Sequence, residues 1–173
     1  MTTLIMAANH SALMITKAVN TLSFMAMIAT TTLLLCEPAH AADPTIDGTW
    51  ELNVGASKST DPMPKSVTRK YETTGVVEKL TGSIVTADGR TIPLSFTATL
   101  DGKDSPSQNP GVDTLVITPV DPLTVKFHTK LKGEVVYAGT RVISADGKTM
   151  TLWTKGNNPA GKPFESTMVF DRR

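Results

Sequence analysis

Short runs rich in valine, isoleucine, threonine and aromatic residues recur every eight to twelve positions from residue 46 onward. Turn residues separate these runs, as in "ADGR" at 87–90, "VDP" at 120–122 and "ADGK" at 145–148. This spacing is typical of an all-β sandwich or barrel, and no helical periodicity competes with it. The runs predict strands near 46–54, 66–73, 76–86, 91–100, 112–119, 122–132, 134–144, 148–155 and 163–171.

The turns favour antiparallel hairpins between consecutive strands. Asp-Gly pairs suit tight hairpin turns because type I′ geometry requires a positive φ at both central residues. A long meander of hairpins either leaves two bare edges or closes on itself. We therefore predict an antiparallel up-and-down meander closed into a barrel of about eight to nine strands, with a β-sandwich as the alternative. A barrel of about eight strands is filled by side chains or holds one small ligand.

Residues 1–41 differ from the rest and predict a signal peptide. A long apolar stretch follows Lys17, and "AHA" at 39–41 supplies the small residues of a signal-peptidase site. Cleavage after Ala41 would release residues 42–173, which have the length of one domain. The sequence therefore predicts a single barrel domain that is periplasmic or secreted.

Three further interpretations of the leader stay open. Translation from Met14 would give a signal peptide of more ordinary length, since the segment before the apolar stretch is long. A transmembrane segment is an alternative, although polar residues interrupt the apolar stretch. Lipidation of Cys36 is another, although Leu35 stands where that modification favours a small residue.

Composition argues against several classes of function. The chain has a formal net charge of +1 with both signs interspersed, which disfavours nucleic acid or an anionic membrane as the main partner. Removing the leader removes the one cysteine and leaves His128 as the sole histidine. We expect no metal and no cofactor, and we find no nucleophile–base pair, so enzymatic activity is open but not favoured. A monomer is the default expectation.

The stretch Gly48-Thr49-Trp50 begins the first predicted strand. It resembles the G-x-W signature of the first strand in lipocalins and fatty-acid-binding proteins, which belong to the calycin superfamily. In those barrels the tryptophan plugs the closed end, commonly under an arginine from a late strand, an arrangement that suits a cation over an indole face. The resemblance implies that Trp50 closes this barrel, with Arg172 as the first candidate partner and Arg141 as the second.

A wider resemblance covers nearly the whole predicted domain. The segments "GTWELN", "ADGRTIPLSFTATLDGKD" and "GKPFESTMVFD" look like parts of small exported bacterial proteins that are described as lipocalin-like. This resemblance implies the barrel fold and the periplasm. It implies neither an activity nor any catalytic residue.

Side-chain alternation gives two predicted strands a face that combines apolar residues with arginine and tyrosine. If these faces point inward, a buried guanidinium needs a counter-charge, which a carboxylate or phosphate ligand would supply. The candidate ligand-binding residues are Arg69, Tyr71, Tyr137 and Arg141. In the alternative, Arg69 lies at the rim of the barrel and pairs with a glutamate, namely Glu51, Glu72 or Glu78.

Two functions fit these observations. The first is a periplasmic, lipocalin-like protein that binds a small hydrophobic or acidic molecule in the barrel interior. The second is a non-enzymatic interaction or structural protein of the envelope, with a filled barrel and contacts through its loops or outer strand face. A cavity of roughly 300 Å³ or more, lined by Arg69 or Arg141, would favour the first. The second would be favoured by a barrel packed solid with Trp50, Phe96, Phe127, Phe164 and Phe170.

Overall fold

The computed structural model describes residues 44–158 and 160–173. The predicted leader, its cleavage site after Ala41, the alternative start at Met14 and Cys36 lie outside these residues. Among the residues described, no helix has both the length and the apolar character needed to cross a membrane.

The described part of the chain forms eleven strands and one short 3-10 helix, Val54–Ala56. Nine of the strands coincide with the nine predicted runs, whereas β2 and β6, of two residues each, lie in segments that were predicted to be connections. The strands are β1 Gly48–Leu52, β2 Lys58–Ser59, β3 Ser66–Thr74, β4 Val77–Val85, β5 Thr91–Thr99, β6 Ser105–Pro106, β7 Thr114–Asp121, β8 Thr124–Leu131, β9 Glu134–Ile143, β10 Thr149–Asn157 and β11 Pro163–Arg172.

All these strands belong to one antiparallel sheet. Ten of them follow the order β5-β4-β3-β1-β11-β10-β9-β8-β7-β6, and β2 pairs with β11. The two ends of this order meet at a backbone bridge between Phe96 and Ser107. Nearby, the Thr99 amide donates a hydrogen bond to the Ser105 hydroxyl at 3.1 Å. The sheet therefore curls into a nearly closed barrel, which confirms the predicted architecture and excludes the β-sandwich.

The strand count differs from the prediction, because the barrel has ten strands along its path instead of eight to nine. The additional strand is β6, in the segment 101–111 that its glycine, proline and serine content predicted to be a loop. Ser105 pairs with Leu115 of β7, so this short strand brings the loop alongside β5. A two-residue strand is too short to show an alternating pattern in the sequence.

The Asp-Gly turns at 87–90 and 145–148 close hairpins, but not in the predicted type I′ geometry. In each of them only the glycine has a positive φ, 91° at Gly89 and 68° at Gly147. Two consecutive positive φ values occur instead at Lys132 and Gly133, 54° and 86°, in the tight turn between β8 and β9. The sequence thus identified the position of the Asp-Gly turns correctly and their type wrongly.

The main hydrophobic core lies where β1 begins and β11 ends. Trp50, Met150 and Phe170 are fully buried there. Strand register places Trp50 opposite Arg69 on β3 and opposite Arg172 on β11. Because directly opposed residues of an antiparallel pair share a face, the indole and both guanidinium groups lie on the inner side of the sheet.

Candidate ligand-binding cavity

A cavity of about 750 Å³ lies inside the barrel. Its wall is mostly apolar and includes side chains from every long strand except β1. The volume falls in the usual range of ligand pockets, about 300–1,000 Å³. Phe96, Phe127 and Phe164 line this space and do not fill it. The barrel is therefore hollow, which weakens the filled-barrel hypothesis.

The mouth of the cavity is bordered by three connecting segments, 62–64, 86–90 and 107–112. The antiparallel order of the strands places the turn at 86–90 at the end of the barrel opposite the one where β1 begins. Prolines stiffen this rim because their φ angle is fixed. Those that line the cavity are Pro62, Pro64 and Pro110.

The opposite end is closed around Trp50. The guanidinium carbon of Arg172 lies 4.2 Å from the centre of the indole ring. Arg172 Nε donates to the Gly147 carbonyl at 2.6 Å, and its terminal nitrogens donate to the carbonyls of Asp47 and Thr45. These bonds hold the guanidinium over the ring, in the position that suits a cation–π contact.

Arg141, the second candidate for that position, lies elsewhere and forms a buried ion pair. Its two terminal nitrogens donate to the two carboxylate oxygens of Glu78, at 2.8 and 2.5 Å. Its guanidinium carbon lies 5.0 Å from the centre of the Tyr71 ring. Burial disfavours its charged form, but the Glu78 hydrogen bonds and the charges around it together hold the pKa of Arg141 above its usual value. Arg141 therefore keeps its positive charge, and the carboxylate of Glu78 balances that charge.

Arg69 lines the same cavity in a different state. Its Nη1 donates to the Tyr71 hydroxyl at 3.1 Å, and its guanidinium carbon lies 5.3 Å from the centre of the Phe170 ring. Its Nε is buried and has no hydrogen-bond partner in the described part of the chain. None of the ion pairs among the described residues includes Arg69.

The predicted rim pairing of Arg69 is wrong, because each of the three glutamates considered for it pairs with another residue. Glu51 pairs with Arg173, Glu72 with Lys70, and Glu78 with Arg141. The Arg69 guanidinium thus faces a cavity without a neighbouring carboxylate from these residues.

Tyr137 lies on the cavity wall, and its ring meets that of Phe164 edge to face at 6.3 Å between centres. Burial raises the pKa of the Tyr137 hydroxyl, with a smaller opposing effect from the Thr129 hydroxyl and the Arg69 charge. The hydroxyl is therefore neutral at physiological pH and can donate a hydrogen bond. The cavity brings together all four candidate residues, Arg69, Tyr71, Tyr137 and Arg141.

Sequence reasoning considered Glu78 only as a rim partner of Arg69 and missed its buried pairing with Arg141. Glu78 is fully buried, and it alternates with Leu80 and Ile84 along β4, on the face that lines the barrel interior. That alternation was available as a signal, because a carboxylate on an apolar face requires a buried partner. The partner could not be read from the sequence, since Arg141 lies 63 positions further along the chain.

Other charged groups lie at the mouth or outside the cavity. Asp88 and Arg90 border the mouth and pair with each other, and the Thr86 hydroxyl together with Arg90 holds the pKa of Asp88 below its usual value. His128 lies on the outer side of β8 and lines a groove on that outer face, and it does not line the cavity. Within residues 44–158 and 160–173, no group of three or more His, Cys, Asp and Glu side chains is arranged to hold a metal ion.

Comparison with known proteins finds likenesses among solved structures. Neither a protein-family model nor a curated protein matches the chain. Among solved structures, the chain is similar to zebrafish ileal bile acid-binding protein complexed with cholic acid, with a TM-score of 0.44 and 12% sequence identity. The match covers 73% of this chain and 98% of that chain. The assignment of a nearly closed barrel rests on the strand pairing of this chain itself.

Proposed function

We propose that this protein binds a small amphipathic molecule inside the barrel, with an anionic group at Arg69 and an apolar body along the cavity wall. One observation carries the proposal: a cavity of about 750 Å³ contains a guanidinium whose buried Nε has no acceptor among the described residues. A partly buried charge without a counter-charge is unfavourable, and an anionic ligand reduces that cost.

The two arginines have different roles in this proposal. Arg141 is neutralised by Glu78 through two hydrogen bonds, so it has little to gain from an external anion. Among the described residues, Arg69 donates one hydrogen bond, to the Tyr71 hydroxyl, and lies over the Phe170 ring, and its planar fork matches a carboxylate or phosphate. The neutral hydroxyl of Tyr137 adds a donor on the same wall.

The apolar lining of the cavity determines the chemistry of the ligand beyond its anionic group. Leu80, Ile117 and Phe127, from three different strands, contribute to a wall that is much larger than its polar patch. Burial of apolar ligand surface contributes roughly 25 cal/mol per Å². A ligand with a hydrocarbon body and one acidic group therefore uses both parts of the cavity.

A matched pair of ligands tests the proposal. In competition with a fluorescent probe bound in the cavity, dodecanoate should show an affinity about tenfold or more higher than that of dodecanol. The reason is that a charge-assisted hydrogen bond contributes about 1.5–3 kcal/mol. Arg69→Met should remove this preference for the acid while retaining binding of the alcohol. Arg173→Met, which changes an exposed arginine paired with Glu51, is the control and should leave both affinities unchanged.

The outcomes separate the parts of the proposal. Equal affinity for the acid and the alcohol in the unmodified protein would refute the anionic site. Failure of both compounds to compete for the interior would refute ligand binding in the cavity.

We further propose that the protein is exported to the periplasm or secreted, on the strength of the leader sequence described above. Expressed with its own leader in a bacterium that has a periplasm, the protein should appear in the periplasmic fraction or the medium. Its intact mass should correspond to residues 42–173. A full-length mass confined to the cytoplasm would contradict both the cleavage site and the location.

A further inference from the structure

A second concave region lies on the outer surface of the barrel, over β8 to β11 and β2. This outer groove has a volume of about 830 Å³. One row of residues crosses it in strand register, each directly opposite the next: Lys126, Thr140, Trp153, Thr167 and Lys58. Neighbouring strands lie about 4.8 Å apart, so the lysines at the two ends of the row are about 19 Å apart along the sheet.

Trp153 lies at the centre of this row and is exposed. The residue retains 45% of its accessible surface, whereas Trp50 retains none. Its indole N–H donates no hydrogen bond to any residue in the described part of the chain, in contrast to that of Trp50, which donates to Ile46. Large aromatic side chains on a concave surface are typical anchors of binding sites.

The outer groove is positively charged. Lys58, Lys126 and Lys155 line it together with a single carboxylate, Glu165. None of these three lysines is in an ion pair with a described residue. A concave surface with an excess of one charge attracts ligands of the opposite charge, so the occupant is expected to be anionic.

In the described part of the chain, the backbone under the outer groove has no long unpaired strand edge with which a peptide strand could form hydrogen bonds. Each of β8, β9, β10 and β11 is paired on both sides, and β2, which pairs only with β11, is two residues long, so the groove has no long free edge for an extended peptide to join. Recognition must therefore use side chains. The hydroxyls of Thr140 and Thr167, on either side of Trp153, form no hydrogen bond to a described residue and can serve a ligand rich in hydroxyl groups.

The geometry points to a binding site for an acidic oligosaccharide in the outer groove. The electron-rich face of Trp153 suits the C–H face of a sugar ring, because aromatic faces attract partially positive hydrogens. The threonines meet ring hydroxyls, and Lys58 and Lys126 meet carboxylates of uronic acid units on either side. This site lies on the outer face of strands whose inner face lines the barrel cavity, with Phe127, Thr154 and Ser166 lining both, and it does not depend on the proposed function of that cavity.

Three six-unit probes test this proposal on the purified protein. Hexagalacturonate should shift the tryptophan fluorescence and bind more weakly as salt is added, because salt screens exposed charges. Neutral maltohexaose should bind about tenfold or more weakly. A hexaglutamate peptide, with the same number of carboxylates but no sugar ring, should also bind more weakly than hexagalacturonate.

Matched variants locate the binding. Trp153→Ala and the double variant Lys58→Gln/Lys126→Gln should each weaken hexagalacturonate binding about tenfold or more. Lys79→Gln/Lys148→Gln removes two exposed lysines outside the groove and is the control. Arg69→Met, in the cavity, should leave this binding unchanged.

Several results would overturn the acidic-sugar site. Hexaglutamate binding at least as tight as hexagalacturonate binding would assign the groove to acidic peptides. Equal binding of maltohexaose would remove the electrostatic argument. Unchanged affinity in the Trp153 and double-lysine variants, or no binding of hexagalacturonate at all, would refute the site.

Discussion

Glu78→Met is expected to lower the free energy of unfolding by about 3–5 kcal/mol, because it leaves the Arg141 guanidinium buried without its carboxylate. Glu78 is fully buried, and it accepts two hydrogen bonds from Arg141. Arg141→Met should have a similar cost for the opposite reason, an orphaned carboxylate. Urea denaturation monitored by circular dichroism measures both changes.

The double variant Glu78→Met/Arg141→Met is the decisive comparison. Replacing a buried ion pair by apolar side chains of similar volume is often neutral or stabilising, so the double variant should recover most of the stability that either single variant loses. Glu72→Met, which removes one side of an exposed pair with Lys70, is the surface control and should have no comparable effect. Additive losses in the double variant would contradict the paired arrangement.

The ion pair between Glu78 and Arg141 distinguishes the roles of the two arginines inside the barrel. Arg141 and Arg69 look equivalent in the sequence, since each shares a strand face with a tyrosine. In the structure only Arg141 has a carboxylate partner, while Arg69 faces the cavity without one. We therefore expect the Arg141 variant to act mainly on stability and the Arg69 variant mainly on the choice of ligand.

Local chemistry in the sequence was enough to predict most of the barrel. Alternation and turn residues located nine strands, and the shared face of Arg69 and Tyr71 followed from the period of two along β3, whereas its inward orientation came from the structure. The two-residue strand β6 was missed because its pairing depends on Leu115 of a later strand and on the edge of β5. Long-range pairing of this kind leaves no periodic signal.

In the candidate sites, too, local patterns could be predicted from the sequence, whereas contacts between distant strands could not. Glu78 could be recognised as a charge on an apolar face, but its partner depends on how the barrel closes. The outer groove depends on the register of five neighbouring strands, which brings Lys58 into line with Trp153 and Lys126. A shift of one residue in any pair would move a side chain to the other face, so sequence alone could not align them.

Trp50→Ala is expected to lower the free energy of unfolding by about 3–5 kcal/mol, the usual cost of removing a large buried aromatic side chain. The indole is fully buried among the core residues of the closed end and donates from Nε1 to the Ile46 carbonyl at 2.7 Å. Its removal also deprives Arg172 of the ring under its guanidinium, a contact of about 0.5–2 kcal/mol.

The second tryptophan provides the control for this experiment within the same chain. Trp153→Ala removes an indole of the same size from an exposed position, so the free energy of unfolding should change by only about 0.5 kcal/mol. Urea denaturation of the two variants, followed by far-ultraviolet circular dichroism, compares the effects without relying on tryptophan fluorescence. If Trp50→Ala were no more destabilising than Trp153→Ala, the closed end of the barrel would not depend on its indole. Removing an indole that fills a core should lower the free energy of unfolding much more than removing an indole from the surface.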